Sequence, residues 1–141
     1  MNQAIESKNK ALVLEAFDTL FNKRDYAAAE KYWSPHYIQH SAHIEPGRDG
    51  LFNLIKGMPP NFRHEHEQIV AEGEFVIVHS RFSGFGQAKN WIVADFVRVV
   101  DGCLSSIGTW LRTKRRKPNP RAAGPCSAIG FLCSGLQVNG G

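Results

Sequence analysis

The sequence predicts an α+β domain, with its helices first and an antiparallel, hairpin-linked sheet after them. Three observations carry this. Val13, Phe17, Leu20 and Phe21 recur at helical spacing near the start. From Phe75 to Phe82 the residues alternate as a half-buried strand does, with Phe75, Ile77, His79 and Arg81 on one face and Val76, Val78, Ser80 and Phe82 on the other. Asp101-Gly102, between two strand-like runs, is a tight hairpin signal.

Taken in order, the first helix is expected over Ser7 to Phe21, stopping at Asn22 with Lys23 and Arg24 at its negative end. Asp25 is a good N-cap for a second helix through the Ala27-Ala28-Ala29 run to Trp33. Pro35 ends it, because a residue before proline is pushed out of the helical region. Tyr37 to His40 reads as a short strand, Glu45-Pro46-Gly47 as a turn, and Arg48 to Lys56 as a third helix stopped by Gly57 and Pro59-Pro60. Strands follow at Phe62 to Ala71, Phe75 to Phe82, Trp91 to Val100 and Cys103 to Trp110, with turns at Glu72-Gly73-Glu74 and Gly84-Phe85-Gly86.

With 141 residues, 43% hydrophobic and 21% charged, the chain suits a single domain with a real core. It has no apolar run long enough to span a bilayer, and its first residues, MNQAIESKNK, have no apolar signal region. A cytoplasmic protein without a membrane partner is expected. Cys103, Cys126 and Cys133 match no zinc or redox spacing and read as free thiols. All 13 acidic residues precede Cys103, whereas six of the 17 basic residues follow it. The net charge of +4 is therefore a property of the tail. We expect a domain over residues 1–111 and a basic, Pro/Gly-rich, disordered or loosely packed tail over 112–141. The tail cations lack interleaved aromatics, so nucleic acid is not an expected partner.

Helix, helix, Tyr37-Ile38-Gln39-His40, a short helix after Gly47-Arg48-Asp49-Gly50, then strands carrying Val78-His79-Ser80-Arg81-Phe82 and the run from Ala94 to Gly102: this order resembles the SnoaL-like polyketide cyclase branch of the NTF2-like superfamily, over about residues 9–102. The resemblance implies a cone-shaped, curved antiparallel sheet with about three N-terminal helices enclosing a pocket. It also implies a homodimer and cofactor-free cyclase or isomerase chemistry. Family members typically continue after the Asp-Gly turn with a strand reading roughly Lys-Ile-x-Glu-His-Trp-Asp, whose carboxylate and histidine often line the pocket. This chain instead reads Cys103-Leu104-Ser105-Ser106-Ile107-Gly108-Thr109. Codons GAG-CAT-TGG-GAC, read one base later, give AGC-ATT-GGG-AC, which spells Ser-Ile-Gly-Thr. A shifted reading frame is our hypothesis for this segment; resequencing the gene tests it, and the lack of an open Glu-His-Trp-Asp frame would end it.

Asp95 leads the candidate catalytic residues. It lies mid-strand with Val93 and Val97 on its own face, where desolvation should raise its pKa toward neutrality and suit it to acid/base work. The alternative is a structural pairing with Arg98, Arg81 or a backbone donor. His79 could relay a proton and Arg81 could stabilise an enolate oxygen; a core histidine and a buried partner of Asp95 are the competing readings. For substrate binding the candidates are His40, Tyr37, Trp91, Trp33 and Phe52, from an aromatic set that also includes Tyr32, Phe62, Phe82, Phe85 and Phe96. His36, His40, His43 and the His64/His66 pair suggest a metal, but nothing in their spacing makes them converge, so no metal and no cofactor is expected. His64 and His66 read instead as an exposed sheet face between Glu65 and Glu67. The expected partner is a small hydrophobic ligand. The functional expectation is acid/base cyclisation or isomerisation of a hydrophobic carbonyl compound, with a non-catalytic ligand-binding or dimerisation module as the alternative.

Overall fold

Apolar spacing places the first helix correctly but not its ends. In the computed structural model, which describes residues 3–86 and 90–113 with side chains as far as Thr109, α1 runs over Gln3–Phe17 and passes directly into a π-helical turn over Asp18–Asn22. The Thr19 hydroxyl donates to the Glu15 carbonyl at 2.7 Å, a back-bond that competes with the helical ladder where it widens. Val13, Phe17, Leu20 and Phe21 are all buried, as their spacing requires.

Asp25 does cap a helix, accepting the Ala28 N–H at 3.0 Å, but α2 covers only Tyr26–Ala29. The expected continuation to Trp33 is wrong. Trp33 opens strand β1 (Trp33–Gln39), which includes Pro35. Tertiary pairing overrides the alanine propensity here: the Leu104 N–H donates to the Tyr32 carbonyl at 2.7 Å and draws the chain onto the sheet edge. Pro35 is tolerated because the ladder is interrupted between Trp33 and Ile38 on an edge strand. Helix α3 occupies Gly47–Lys56.

Four strands follow: β2 (Arg63–Glu72), β3 (Phe75–Ser83), β4 (Trp91–Val100) and β5 (Cys103–Thr113). The sheet order is β1-β5-β4-β3-β2. β2 to β5 are antiparallel neighbours, and β1 joins β5 in parallel at one edge, so the sheet is not closed. β5 extends past the expected boundary at residue 111 as far as Thr113; the rest of the expected tail lies outside the described residues. Among the described residues no helix is long and apolar enough to cross a membrane.

Two bulges decide which residues face inward. One lies in β2 between His66 and Gln68 and reverses the facing of that strand. Before it, His64 pairs with Phe82; after it, Ile69 pairs with Val78 and Ala71 with Val76. The other lies between Arg98 and Val99, where β5 carries the extra Ser105, whose hydroxyl donates to the Arg98 carbonyl at 3.1 Å. The core forms where Val13, Phe17 and Leu20 of the helices meet Val76, Val78, Val97 and Leu104 of the sheet.

Candidate functional site

Between the helices and the inner sheet face lies a cavity of about 600 Å³. Phe17 and Phe21 line it from the first helical segment, Leu51, Leu54 and Ile55 from α3, and Phe82, Trp91, Val93 and Ile107 from the sheet. Among the described residues its polar side chains come from two places: Gln39 at the end of β1 with His40, Ser41 and His43 after it, and Asp95 with Thr109 on the sheet. No lysine or arginine lines it among the described residues.

Asp95 points inward because β4 alternates, with Val93 and Val97 buried on the same face. The sheet row it occupies runs Thr109, Asp95, Val78, Ile69. Only 4% of Asp95 is exposed, and the Thr109 hydroxyl donates to its Oδ1 at 2.6 Å. Burial raises its pKa to about 6, and the Thr109 bond offsets part of that rise. A carboxyl group in this state exchanges protons near neutral pH and has one oxygen, Oδ2, with no partner assigned among the described residues.

The structure does not bring His79 and Arg81 to Asp95. Both lie on the opposite face of β3. The Arg81 guanidinium forms an ion pair with Glu65, its Nε donating at 2.9 Å, and His79 sits 3.6 Å from Glu67. The alternation that turns Val78 and Ser80 inward turns His79 and Arg81 outward. Arg98 also lies on the outer face, bonded to Glu74 at 2.9 Å. The expected floor of three residues is therefore corrected to Asp95 and Thr109.

Of the five binding candidates, His40 and Trp91 line the cavity, His40 at its mouth and Trp91 with its ring 4.4 Å from that of Phe85. Tyr37 is buried behind the lining. Its hydroxyl accepts from Gln39 Nε2 at 3.1 Å, and its pKa is raised by burial and by the charge of Asp95. Trp33 and Phe52 pack edge to face in the core and do not reach the cavity. Phe62 and Phe82 line the cavity as aromatic candidates, whereas Phe96 faces outward, 48% exposed.

His64 and His66 are not an exposed pair. His64 is buried among Phe17, Phe21 and Phe82, its Nε2 2.8 Å from the Ser80 hydroxyl. The Asn22 side chain grips its backbone, accepting its N–H at 2.9 Å and donating to its carbonyl at 3.0 Å. Burial, reinforced by the neighbouring His66, lowers the His64 pKa to about 4. No group of three histidine, cysteine or acidic side chains converges among the described residues.

Thr109 and Ser41 are the site residues that sequence reasoning missed. Counting back across the Asp101-Gly102 turn puts Gly108 opposite Asp95; the bulge at Ser105 advances the register by one and substitutes Thr109. Ser41 follows the Tyr37-Ile38-Gln39-His40 run that was already singled out. That adjacency was the only available signal.

A family model described as a SnoaL-like domain matches residues 13–107. No curated protein matches the sequence. Several solved structures share the fold. A proposed ketosteroid isomerase from Kribbella flavida superposes with a TM-score of 0.69 at 16% identity, covering 83% of this chain and 87% of that one. An LEH-like epoxide hydrolase from M. tuberculosis gives 0.62 at 15% identity, covering 76% and 84%. A proposed polyketide cyclase from Bacillus cereus gives 0.60 at 17%, covering 68% and 69%. At these identities the likeness is one of fold.

Proposed function

The chain belongs to the SnoaL-like domain family, and from that premise we propose that it carries out cofactor-free acid/base chemistry on a small, apolar carbonyl compound, with Asp95 as the proton-transfer group. The observation that carries the proposal is the isolated, buried carboxyl group on the wall of an apolar cavity, one oxygen held by Thr109 and its pKa near 6. Such a group is ionised at neutral pH yet basic enough to take a proton α to a carbonyl. The C–H bond breaks, the proton moves to Asp95, and the electron pair passes through the carbon into the carbonyl oxygen as an enolate. Return of the proton at another carbon gives isomerisation; attack of the enolate carbon on a second carbonyl within the molecule gives an aldol-type ring closure. The isomerase and cyclase named among the structural neighbours support this class of reaction by analogy of fold only.

The test is proton exchange into 2-tetralone in D₂O, followed by NMR. Wild-type protein should exchange the α-protons faster than buffer, and Asp95→Asn should lose that rate while keeping its fold. Equal rates for the two proteins would contradict the proposal.

A second reading, a non-catalytic binding module, is favoured by the lack, among the described residues, of a lysine or arginine in the lining to meet an enolate. It predicts ligand binding that Asp95→Asn leaves unchanged and no exchange by the wild type. The proposal also includes a homodimer, supported by the outer sheet face, where Val70, Phe75 and Phe96 are about half exposed among ion pairs.

A further inference from the structure

The acid/base reading leaves an enolate oxygen to be stabilised in a cavity lined, among the described residues, by no lysine or arginine. In a low-dielectric site the remaining means is a fixed neutral donor. Gln39, His40, Ser41, His43 and Thr109 are the candidates in the lining. Thr109 already donates to Asp95, and the Gln39 amide nitrogen to Tyr37. His40 and His43 are exposed at the mouth.

Ser41 is different. Its main chain is held on both sides: its N–H donates to Gln39 Oε1 at 3.1 Å, and its carbonyl accepts the Ile44 N–H at 3.1 Å. The residue lines the cavity, and its hydroxyl oxygen is buried with no hydrogen-bond partner among the described residues. A buried hydroxyl without a partner is costly, so the site favours a ligand that supplies one.

Its position follows from the parallel register. Gln39 lies opposite Ile107, the His40 N–H donates to the Ile107 carbonyl at 3.0 Å, and a Cβ added at Gly108 would meet the His40 Cβ at 3.8 Å. Ser41 and Thr109, each two residues further along its own strand direction, both line the cavity, and the Thr109 hydroxyl donates to Asp95. Ser41, Thr109 and Asp95 are thus polar groups of the same, mainly apolar, cavity wall.

We propose that Ser41 is a catalytic residue whose hydroxyl donates to the carbonyl oxygen of an uncharged ketone, beside the carbon from which Asp95 takes its proton. The inference rests on the acid/base reading of Asp95. When the C–H bond breaks and the proton reaches Asp95, the electron pair moves onto the ketone oxygen. The Ser41 hydrogen bond strengthens as that charge grows, and no proton need leave Ser41. With a carboxylate on one side and no lysine or arginine in the lining among the described residues, the site selects neutral over anionic ligands.

The experiment compares wild type, Ser41→Ala, Ser41→Thr and Asp95→Asn in the 2-tetralone exchange assay, resolving kcat from KM. Ser41→Ala should lower kcat by about 10²-fold, the usual effect of removing one oxyanion donor, with KM moved by less than about 3-fold. Ser41→Thr, which keeps the hydroxyl, should recover most of the rate. 2-Naphthol, a stable planar mimic of the enol, should bind Ser41→Ala more weakly than wild type by a similar factor. Unchanged kcat in Ser41→Ala, or Ser41→Thr no better than Ser41→Ala, would overturn the role of Ser41 while leaving that of Asp95 intact. Wild type exchanging no faster than Asp95→Asn would overturn the parent reading, and this one with it.

Discussion

Asp95, Thr109 and His64 make the chemistry of this molecule depend on pH in opposite senses. Asp95 has its folded-state pKa raised to about 6 from 3.8, so the fold binds its proton more tightly than the unfolded chain does. The resulting penalty is absent below pH 3.8, grows as pH rises through about 6, where the site is half ionised, and levels off above it; at about 1.4 kcal/mol per unit it amounts to about 3 kcal/mol. Asp95→Asn should therefore stabilise the protein at pH 7 while removing exchange activity, which urea denaturation at that pH would show. Thr109→Val removes a bond that favours the charged form, so Asp95 should titrate at higher pH than in wild type, as carboxyl NMR would report. His64 runs the other way. Kept neutral to about pH 4, it contributes stability that is fully present above pH 6.5 and is lost as pH falls toward 4. In His64→Gln the acid side of a urea-midpoint-versus-pH curve should flatten over that window; an unchanged slope would count against it.

At the scale of elements, the alternating and helical patterns of the sequence predict the order of helices and strands, and period two separates the two faces of β3 without saying which is inward: the candidates His79 and Arg81 came from the outward face. Less legible were the places where one added residue changes facing. The bulge in β2 puts His64 inside and Val70 outside, and the bulge at Ser105 sets Thr109 against Asp95. Neither leaves a glycine or proline signal in the sequence. The Trp33 error has a different cause: a parallel partner more than 70 residues away, Leu104, captures a segment that local propensity assigns to helix. Arg81 was misplaced because a basic residue near a candidate acid suggests a pair, whereas strand alternation puts it on the other face with Glu65. Gly84 is one position where the backbone leaves no choice. Its φ is +76°, and an added Cβ would run into the Asn61 backbone. Gly84→Ala should cost more than about 1 kcal/mol, read from the denaturant midpoint.

For the whole molecule, the single sheet separates two surfaces of different character. Its inner face, with the helices, encloses the cavity. Its outer face presents Phe75 and Phe96 among Glu65–Arg81 and Glu74–Arg98 pairs. If that face joins two copies, sedimentation should give a dimer mass, and Phe96→Glu should give a monomer that keeps its fold; a wild-type monomer at all concentrations would oppose the idea. The proposed function depends on the cavity, and centrally on Asp95 being a buried carboxyl group poised near neutrality. Titration of ¹³C-labelled aspartate by NMR, with Asp95→Asn to assign the resonance, measures that directly. The account predicts a carboxyl titrating at about 6 that is missing from the variant. A resonance for Asp95 titrating at or below the ordinary 3.8 would contradict it.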